Sequence, residues 1–325
     1  MWRYVIKRLF TTIVVILVAA ILIFTIMNVV PGDPAAALLG SDATYEEILA
    51  KRELMGLSGP FLVRLARYLY NFFIKWDFGN SWFYETPIMN EVFTRIPRTI
   101  VISFSHLVMS VCVGLPVGIL AAMKRGKWQD RGVLSLAMLF QSIPGFWLAM
   151  EMIVLFSVNL GWLPASGIGS WKNYVMPILA GVLGGWCGTA RQARQSMLEV
   201  MRDDYITTAR AKGVAENKVI THHMLPNALM PVITSIGGQV GTLVAGSLFM
   251  ERTFSIPGVG IYMLNGINNR DYPVVEAVTI FMAGINALAM LLTDLAYGFV
   301  DPRIKAQYIS STNKGRRPKK NHVEE

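Results

Sequence analysis

Charged residues are scarce in this chain of 325 residues, and the shortage limits the kind of protein it can be. Asp, Glu, Lys and Arg together make up 16% of the sequence, whereas hydrophobic residues make up 53%. A soluble domain of this length carries more charge on its surface. The composition therefore indicates a protein that resides in a lipid bilayer.

Motifs for catalysis and nucleotide binding are missing as well. The chain has no GxxxxGK[ST] phosphate-binding loop, since its nearest Gly-Lys pair, Gly126–Lys127, is followed by Trp128. It also lacks GxSxG and HExxH, which argues against an ordinary hydrolase. Its two cysteines, Cys112 and Cys187, lie in apolar runs without CxxC or metal-ligand spacing, which predicts packing roles. We expect this chain to have no enzymatic activity, no cofactor and no metal.

Long apolar runs are what the sequence has in abundance. A helix that crosses about 30 Å of hydrocarbon needs roughly 20 residues, and six segments qualify. We predict an all-α polytopic membrane protein of about six transmembrane helices in a single domain, residues 1–325. The predicted spans are Leu9–Val30, Thr99–Met123, a long or kinked segment within Gly132–Trp171 that Pro144 interrupts, Asn173–Ala190, Ala228–Met250 and Ala277–Phe299. The first run is longer than the apolar core of a cleavable signal, so we expect it to remain as an anchor.

The distribution of Lys and Arg predicts how these spans are oriented. Short cytoplasmic loops retain positive residues. Twenty of the 30 Lys and Arg fall in the N-terminal segment, in the connections between spans two and three and between spans four and five, and in the tail. Both termini are therefore predicted to be cytoplasmic, with a cytoplasmic loop over 191–227, a cytoplasmic tail over 303–325 and an extracellular region over 31–98.

The extracellular region is longer than a connector between neighbouring helices needs to be, so we expect it to contain structure. Thr44 and Glu47 have the spacing of a capping box, which predicts a short helix that ends at Leu54. Pro60 suits the first turn of a second helix. The apolar residues that follow it recur at helical spacing, which predicts an amphipathic helix beside the membrane surface.

A polar island, DYITTARAKGVAENKVITHHMLPNALMP over 204–231, lies between two apolar runs. Its apolar stripe at helical spacing, which begins just upstream of the island, consists of Met197, Met201, Tyr205, Ile206 and Ala209. Gly213 predicts the end of this helix and a sharp turn, after which a second helix over about 215–224 would fold back. Pro226 disfavours a helical conformation at Leu225 and predicts a boundary before the fifth span. The expected product is a compact, stiff knob in which Ala209, Ala211 and Gly213 permit close packing.

The island resembles the cytoplasmic coupling loop of ABC-importer permeases. That loop has an acidic-Ala-Ala triplet, a glycine four residues later and an Ile-x-Leu-Pro ending; Ala209, Gly213, Leu225 and Pro226 match it, whereas Thr207 and His223 depart from it. The TARAKG variant is similar to the dipeptide and oligopeptide branch. Further segments similar to that branch are VVPGDPAAALLG (29–40), RDYPVVEA (270–277) and YGFVDPRIK (297–305), so the resemblance covers nearly the whole chain.

The resemblance implies a type I ABC-importer permease fold in the bacterial cytoplasmic membrane, and a subunit that forms half of a translocation pathway for di- or oligopeptides. Implied partners are a second permease subunit, two cytoplasmic ABC ATPases that hold ATP and Mg, and an extracellular substrate-binding protein. The extracellular region would help to receive that binding protein or serve as a structural cap. The implied coupling residues are Thr207, Thr208, Ala209, Arg210, Ala211, Lys212, Gly213, Glu216, Leu225 and Pro226. The same machine could instead import nickel chelates, glutathione or cell-wall peptides.

Other interpretations of single features stay open at this point. The polar island could lie on anionic lipid as an interfacial segment, attracted through its Arg and Lys residues. Paired intramembrane charges would suit a self-sufficient ion-coupled transporter, although no internal repeat is visible. A membrane-embedded enzyme would need His106, Glu151 and Asp294 in one pocket. Glu151, Gln239 and Asp294 are candidates for lining the pathway or for holding helices together.

Two groups of small residues also have two possible roles. Gly237 and Gly241 have the GxxxG spacing, and four further glycines lie close together at 181, 184, 185 and 188. Such faces let helices approach each other closely in a membrane. They suit either packing within the chain or pairing with a second permease subunit.

Overall fold

The computed structural model describes the backbone of residues 2–300 and, within that range, all side chains except those of 2–5, 7, 240–246 and 293–300. The predicted tail over 303–325 lies outside the described residues, and the side chains of Asp294, Gly241 and the 297–305 signature lie outside the described side chains. The regular structure of residues 2–300 is helical, apart from one isolated antiparallel bridge between Asn80 and Pro87.

The helices account for most of the described backbone, as the all-α prediction requires. Their bounds are α1 Trp2–Val29, α2 Pro34–Leu39, α3 Tyr45–Leu54, α4 Phe61–Phe73, α5 Ile88–Met123, α6 Trp128–Ser142, α7 Gly145–Met152, α8 Lys172–Val200, α9 Asp204–Ala211, α10 Glu216–Lys218, α11 Leu225–Thr253, α12 Val259–Asn268 and α13 Tyr272–Val300. Two π-helical segments, Ile153–Asn159 and Val219–Met224, follow α7 and α10 directly.

Several of these helices have the length and composition of membrane spans. In the described part of the chain, α1, α5 and α13 each contain a stretch long and apolar enough to cross a bilayer. The pair formed by α6 and α7 with its π-helical extension also qualifies, but it is bent by 91°. Pro144 lies directly before α7, and Ile143 is extended with ψ 125°. The predicted interruption at Pro144 is confirmed, because proline restricts the residue before it to extended conformations.

The remaining two long helices, α8 and α11, are each 29 residues and exceed the length needed to span the hydrocarbon layer. Helix α8 is in contact with α5, α6, α7 and α11. A helix that its neighbours cover needs a less continuous apolar surface than a helix exposed to lipid. This explains why α8 is the least apolar of the long helices although it packs against four other helices.

The contact between α5 and α8 depends on small residues. A side chain at Gly114 would overlap the carbonyl oxygen of Trp186, and one at Gly118 would overlap that of Ala190. The two backbones therefore approach as closely as glycine allows, as is common between membrane helices. We infer that neither glycine can be enlarged without moving α8.

The predicted glycine cluster on α8 serves internal packing in part. Gly181 and Gly185 leave room for the ring of His106 on α5, which a side chain at either position would overlap. Gly184 and Gly188 have no described heavy atom within 4 Å of a built Cβ. One face of the cluster is thus occupied within the chain, while the other remains uncovered.

Helix α5 links two clusters of buried residues at opposite ends of the molecule. Its 36 residues extend for about 54 Å. Near its start, Ile88 and Val92 pack against α1, α4, α12 and α13 at what we call the cap end. Near its finish, Ala122 packs with Met197 and with residues 206–228 at what we call the loop end. The first 11 residues of α5 and the last ten of α8 extend into the regions predicted as 31–98 and 191–227.

The cap end contains the helices predicted between the first two spans. The capping box is confirmed, because the Thr44 N–H donates to Glu47 Oε2 at 2.8 Å and the Glu47 N–H donates to Thr44 Oγ1 at 3.4 Å. Helix α3 ends at Leu54 as predicted. Helix α4 is amphipathic: its Phe72 is buried in the core. Leu62, Val63 and Tyr70 on its other face are exposed, and so are the apolar side chains of Ile74 and Trp76 just after the helix.

Candidate functional site

The loop end presents the predicted knob, residues 204–224, which we call the Gly213 knob. Gly213 follows α9 with φ +76°. Its N–H donates to Arg210 O at 2.9 Å, and the Val214 N–H donates to Ala209 O at 3.3 Å. These two bonds form the Schellman pattern, which satisfies the last carbonyls of a helix and needs a left-handed residue. The predicted helix end and sharp turn at Gly213 are confirmed.

A buried core lies under the knob and attaches it to three long helices. Ile206, Val219 and Met224 are fully buried, and they pack with Ala122 of α5 and Met197 of α8. Ala228 of α11 belongs to the same cluster. The predicted apolar stripe does not lie on one helix, because the backbone turns over residues 201–203 between α8 and α9. Met197, Ile206 and Ala209 are nevertheless buried together in this core, and Met201 packs against it. Tyr205 is instead exposed, and its hydroxyl accepts a hydrogen bond from Asn227 Nδ2 at 3.0 Å.

A charged clamp closes the turn on its outer side. Arg210 Nε donates to Glu216 Oε2 at 3.1 Å, and Arg210 Nη2 donates to Glu216 Oε1 at 2.6 Å. The hydrogen bonds from Arg210 lower the pKa of Glu216 below its usual value. Because both side chains are substantially exposed, solvent screening limits what this pair adds to stability.

The outer face of the knob is an exposed polar surface. Eight of the ten predicted coupling residues are exposed: Thr207, Thr208, Arg210, Ala211, Lys212, Gly213 and Glu216 in the knob, and Pro226 directly after it. Ala209 is instead buried in the core beneath. The expectation that Ala209, Ala211 and Gly213 all pack closely is thus wrong for Ala211 and Gly213 within this chain. A Cβ at Gly213 would have no described heavy atom within 4 Å, so crowding does not explain the glycine. Its positive φ angle does.

The predicted boundary at Leu225 and Pro226 is wrong. Leu225 has helical angles, φ −55° and ψ −47°, and α11 begins there with Pro226 in its first turn. The backbone is helical without a break from Glu216 to Thr253. The preceding π-helical segment, Val219–Met224, explains this: a wider i→i+5 turn leaves space for a proline ring that a regular α-helical turn would exclude.

A buried ion pair near the loop end was not recognised from sequence. Arg194 of α8 donates from Nε to Asp130 Oδ1 at 2.6 Å and from Nη2 to Asp130 Oδ2 at 2.9 Å. The Gly126 N–H donates to Asp130 Oδ2 at 2.9 Å. Asp130 is 3% exposed. The pair fixes the start of α6 and the α5–α6 turn to the end of α8 that carries the knob.

These two Arg–carboxylate pairs have matching geometry and different burial, so their energies can be compared directly. In double-mutant cycles we expect Asp130–Arg194 to show a coupling energy of about 2–3 kcal/mol and Arg210–Glu216 at most about 1 kcal/mol. The variants are Asp130→Asn with Arg194→Gln, and Glu216→Gln with Arg210→Gln. The measurement is reversible unfolding of the purified protein in detergent. Equal coupling energies would contradict the role assigned to burial.

The candidate pathway residues lie on three different helices. Glu151 is exposed on α7, and Gln239 is half-buried on α11, where its Nε2 donates to Ser235 Oγ at 3.4 Å. Asp294 lies on α13 outside the described side chains.

A buried acid at the cap end organises the chain between α11 and α12. Glu251 has no exposed surface. Its Oε1 accepts hydrogen bonds from Thr99 Oγ1 at 2.6 Å and Ser247 Oγ at 3.1 Å, and its Oε2 accepts one from the Ile261 N–H at 3.0 Å. The Val259 N–H in turn donates to Thr99 Oγ1 at 3.0 Å. This network fixes the start of α12 to α5 and α11.

Asp271, in the RDYPVVEA signature, is a second buried acid, and it fixes the segment before α5. It is 1% exposed and accepts hydrogen bonds from the Ser81 hydroxyl, from the Trp82 N–H at 3.1 Å and from the Phe83 N–H at 3.2 Å. The Arg270 side chain covers Gly32 of the VVPGDP segment. Segments that are far apart in sequence thus meet at the cap end. The burial of Glu251 and Asp271 could have been suspected, because each is an acid beside an apolar run. Their hydrogen-bond partners could not, because those partners are far away in the sequence.

Comparisons with known proteins agree with this architecture. Residues 114–306 match the family described as binding-protein-dependent transport system inner membrane component, and residues 1–103 match its N-terminal counterpart. The glutathione transport system permease protein GsiC of Salmonella paratyphi A is 37% identical over 307 residues, covering 94% of this chain and 99% of the relative. A putative peptide transport system permease protein of Brucella abortus is 38% identical over 315 residues, with the same coverage.

Among solved structures, an inward-facing form of the MetNI methionine ABC transporter matches with a TM-score of 0.57 and 23% identity, over 66% of this chain and 98% of that one. This likeness supports the fold. The described structure, the family match over most of the chain and relatives that are more than 35% identical along their full length lead to one conclusion. The chain belongs to the family of inner-membrane components of binding-protein-dependent transport systems, the multi-pass permeases of ABC importers.

Proposed function

We propose that this chain is the permease subunit of an ATP-driven importer of di- or oligopeptides, and that a separate ATPase docks on the Gly213 knob. One observation carries the proposal: the knob exposes a polar outer face while its inner face is buried against α5, α8 and α11. A surface built in this way can accept a partner and pass its movement to three long helices at once.

The stiffness of the knob supports a mechanical role. The Schellman turn and the Arg210–Glu216 clamp join α9 to α10, and the backbone then continues as helix to Thr253. Displacement of the knob would therefore be delivered along α11 to Glu251 and the cap end. In this mechanism, closure of the ATPases would move the loop end and alter access to the pathway at the cap end.

The other subunits of the transporter would be separate proteins. We assign ATP and Mg²⁺ to two cytoplasmic ATPase subunits, because this chain has no phosphate-binding loop. A second permease subunit would complete the pathway, and an extracellular binding protein would deliver the substrate to the cap end. Glu151, Gln239 and Asp294 are proposed to line the pathway or to support its packing.

The names of the relatives support a peptide substrate. The Brucella relative is a putative peptide permease and the Salmonella relative is a glutathione permease. Glutathione is itself a tripeptide, so the two names describe related chemistry. We therefore propose a short peptide as the substrate class, with glutathione as the second candidate.

Transport by the reconstituted complex tests this function. Proteoliposomes that contain this chain with its co-purified ATPase, second permease and binding protein are expected to accumulate labelled dipeptides, tripeptides or glutathione only when ATP is supplied. The control is the same complex with an ATPase that cannot hydrolyse ATP. Uptake by this chain alone, without ATP and driven by a proton gradient, would instead support an ion-coupled transporter.

A further inference from the structure

A cavity of about 290 Å³ lies at the cap end, between α1, α4 and the start of α13. Its lining includes Asn28, Arg64, Arg67, Tyr68 and Glu276. Nothing in the proposed import mechanism uses these groups. The size approaches that of pockets that hold small ligands.

Several polar groups around this cavity have no partner in the described structure. Glu276 is 7% exposed, and no described residue makes a hydrogen bond or an ion pair with it. Arg64 Nε and the Tyr68 hydroxyl are both buried without a hydrogen bond. Burial, and then the nearby Glu276, raises the pKa of Tyr68 well above its usual range, so its hydroxyl remains a hydrogen-bond donor. Buried polar groups normally have partners, and these groups point to a missing one.

The ionisable groups around the cavity come from two different elements. Arg64 and Arg67 are one turn apart on α4, whereas Glu276 lies on α13. Arg64 and Glu276 both line the cavity, but they are not within the 4.0 Å of an ion pair. A ligand with an anion and a cation could therefore lie between them, with its anion beside the guanidinium of Arg64 and its cation beside the buried carboxyl of Glu276, which that cation would hold in the ionised form.

The cavity also lies at the depth of a membrane surface. Asn28 is one residue from the end of the span in α1, and Glu276 is in the first turn and a half of the span in α13. Helix α4 forms one wall, and its opposite face exposes Leu62, Val63 and Tyr70. An amphipathic helix with such a face lies in the plane of the membrane interface. The cavity is therefore placed where phospholipid headgroups are found.

We propose that this cavity binds a zwitterionic group, with its anion on Arg64 and Arg67 and its primary ammonium on Glu276. The membrane depth favours an aminophospholipid headgroup as the source. A phosphate suits paired guanidinium groups, and a primary ammonium has N–H donors for a carboxylate that a trimethylated ammonium lacks. A free peptide carries the same two charged ends and is the other possible source.

Lipid discrimination tests the proposal with the purified full-length protein. Native mass spectrometry should show a roughly tenfold preference for phosphatidylethanolamine over phosphatidylcholine with the same acyl chains, as expected of one charge-assisted hydrogen bond. Glu276→Gln should reduce the preference to within about twofold, because a neutral amide makes only an ordinary hydrogen bond. Arg64→Gln should weaken the binding of both lipids. Glu53→Gln, an exposed acid on α3 outside the cavity, is the matched control and should retain the preference.

A competition arm identifies the source of the zwitterion. If a soluble dipeptide displaces the bound lipid from the wild type but not from Glu276→Gln, the zwitterion site is confirmed and its ligand is free peptide. If the dipeptide has no effect while the lipid preference depends on Glu276, the ligand is the headgroup. A wild type that neither discriminates between the lipids nor binds dipeptide would overturn the proposal, as would a preference that persists in Glu276→Gln.

Discussion

Replacement of Gly213 by Asp is expected to abolish ATP-driven uptake while the protein remains folded and inserted. The turn requires φ near +76°, and Asp is among the few residues that adopt left-handed angles at modest cost. No described heavy atom lies within 4 Å of a built Cβ, so the folded chain has room for the side chain. The new carboxylate would add charge and bulk to the surface on which the ATPase is proposed to dock.

The size of the effect follows from the cost of an unpaired charge at an interface. Such a charge costs about 2–5 kcal/mol, which corresponds to a loss of at least roughly 30-fold in productive docking. Gly213→Asn is the matched control, because Asn has the same shape and tolerance of left-handed angles but no charge. We expect it to retain much of the uptake. Normal uptake in Gly213→Asp would contradict the coupling role, and equal loss in both variants would assign the effect to the turn geometry.

Replacement of Glu251 by Ala should have the largest effect on stability. The carboxylate is fully buried and accepts hydrogen bonds from Thr99, Ser247 and the Ile261 N–H. Its removal leaves buried donors without this acceptor and opens a cavity beside Gly258 and Gly260. We expect a loss of about 3–5 kcal/mol. The midpoint of thermal unfolding in detergent should fall by on the order of 10 °C.

Two further variants separate this network from a general effect of losing an acid. Glu251→Gln keeps a carbonyl acceptor and should lose roughly half as much stability. Glu151→Ala removes an exposed acid from α7 and should change stability by less than about 0.5 kcal/mol. If Glu251→Ala were as stable as Glu151→Ala, the network would not hold the cap end together.

Local features of the fold could be predicted because they depend on neighbouring residues. The capping box of Thr44 and Glu47, the turn at Gly213 and the break at Pro144 each follow from the conformational preferences of a few adjacent residues. The burial of Ile206 and Ala209 on one face of α9 follows from helical periodicity. Pro226 shows the limit of such rules, because the π-helical segment before it accommodates a proline that would otherwise end the helix.

The features that could not be predicted depend on contacts between distant segments. Asp130 meets Arg194, Glu251 meets Thr99, and Asp271 meets Ser81. Nothing in the local sequence shows which partner a buried acid will find, although an acid that must be buried needs one. The exposure of Ala211 could not be predicted for the same reason: its role as packing or docking surface depends on which groups lie nearby.

A photo-crosslinker placed at Ala211 tests the central claim most directly, because this residue is exposed on the outer face of the knob. The protein would be irradiated in its native membrane, and the crosslinked product would be identified by mass spectrometry. We predict an ATPase that carries a phosphate-binding loop, and no such product from a crosslinker at the cap-end residue Glu85. Crosslinks to lipid alone would contradict a docking role and show that the knob lies on the membrane surface.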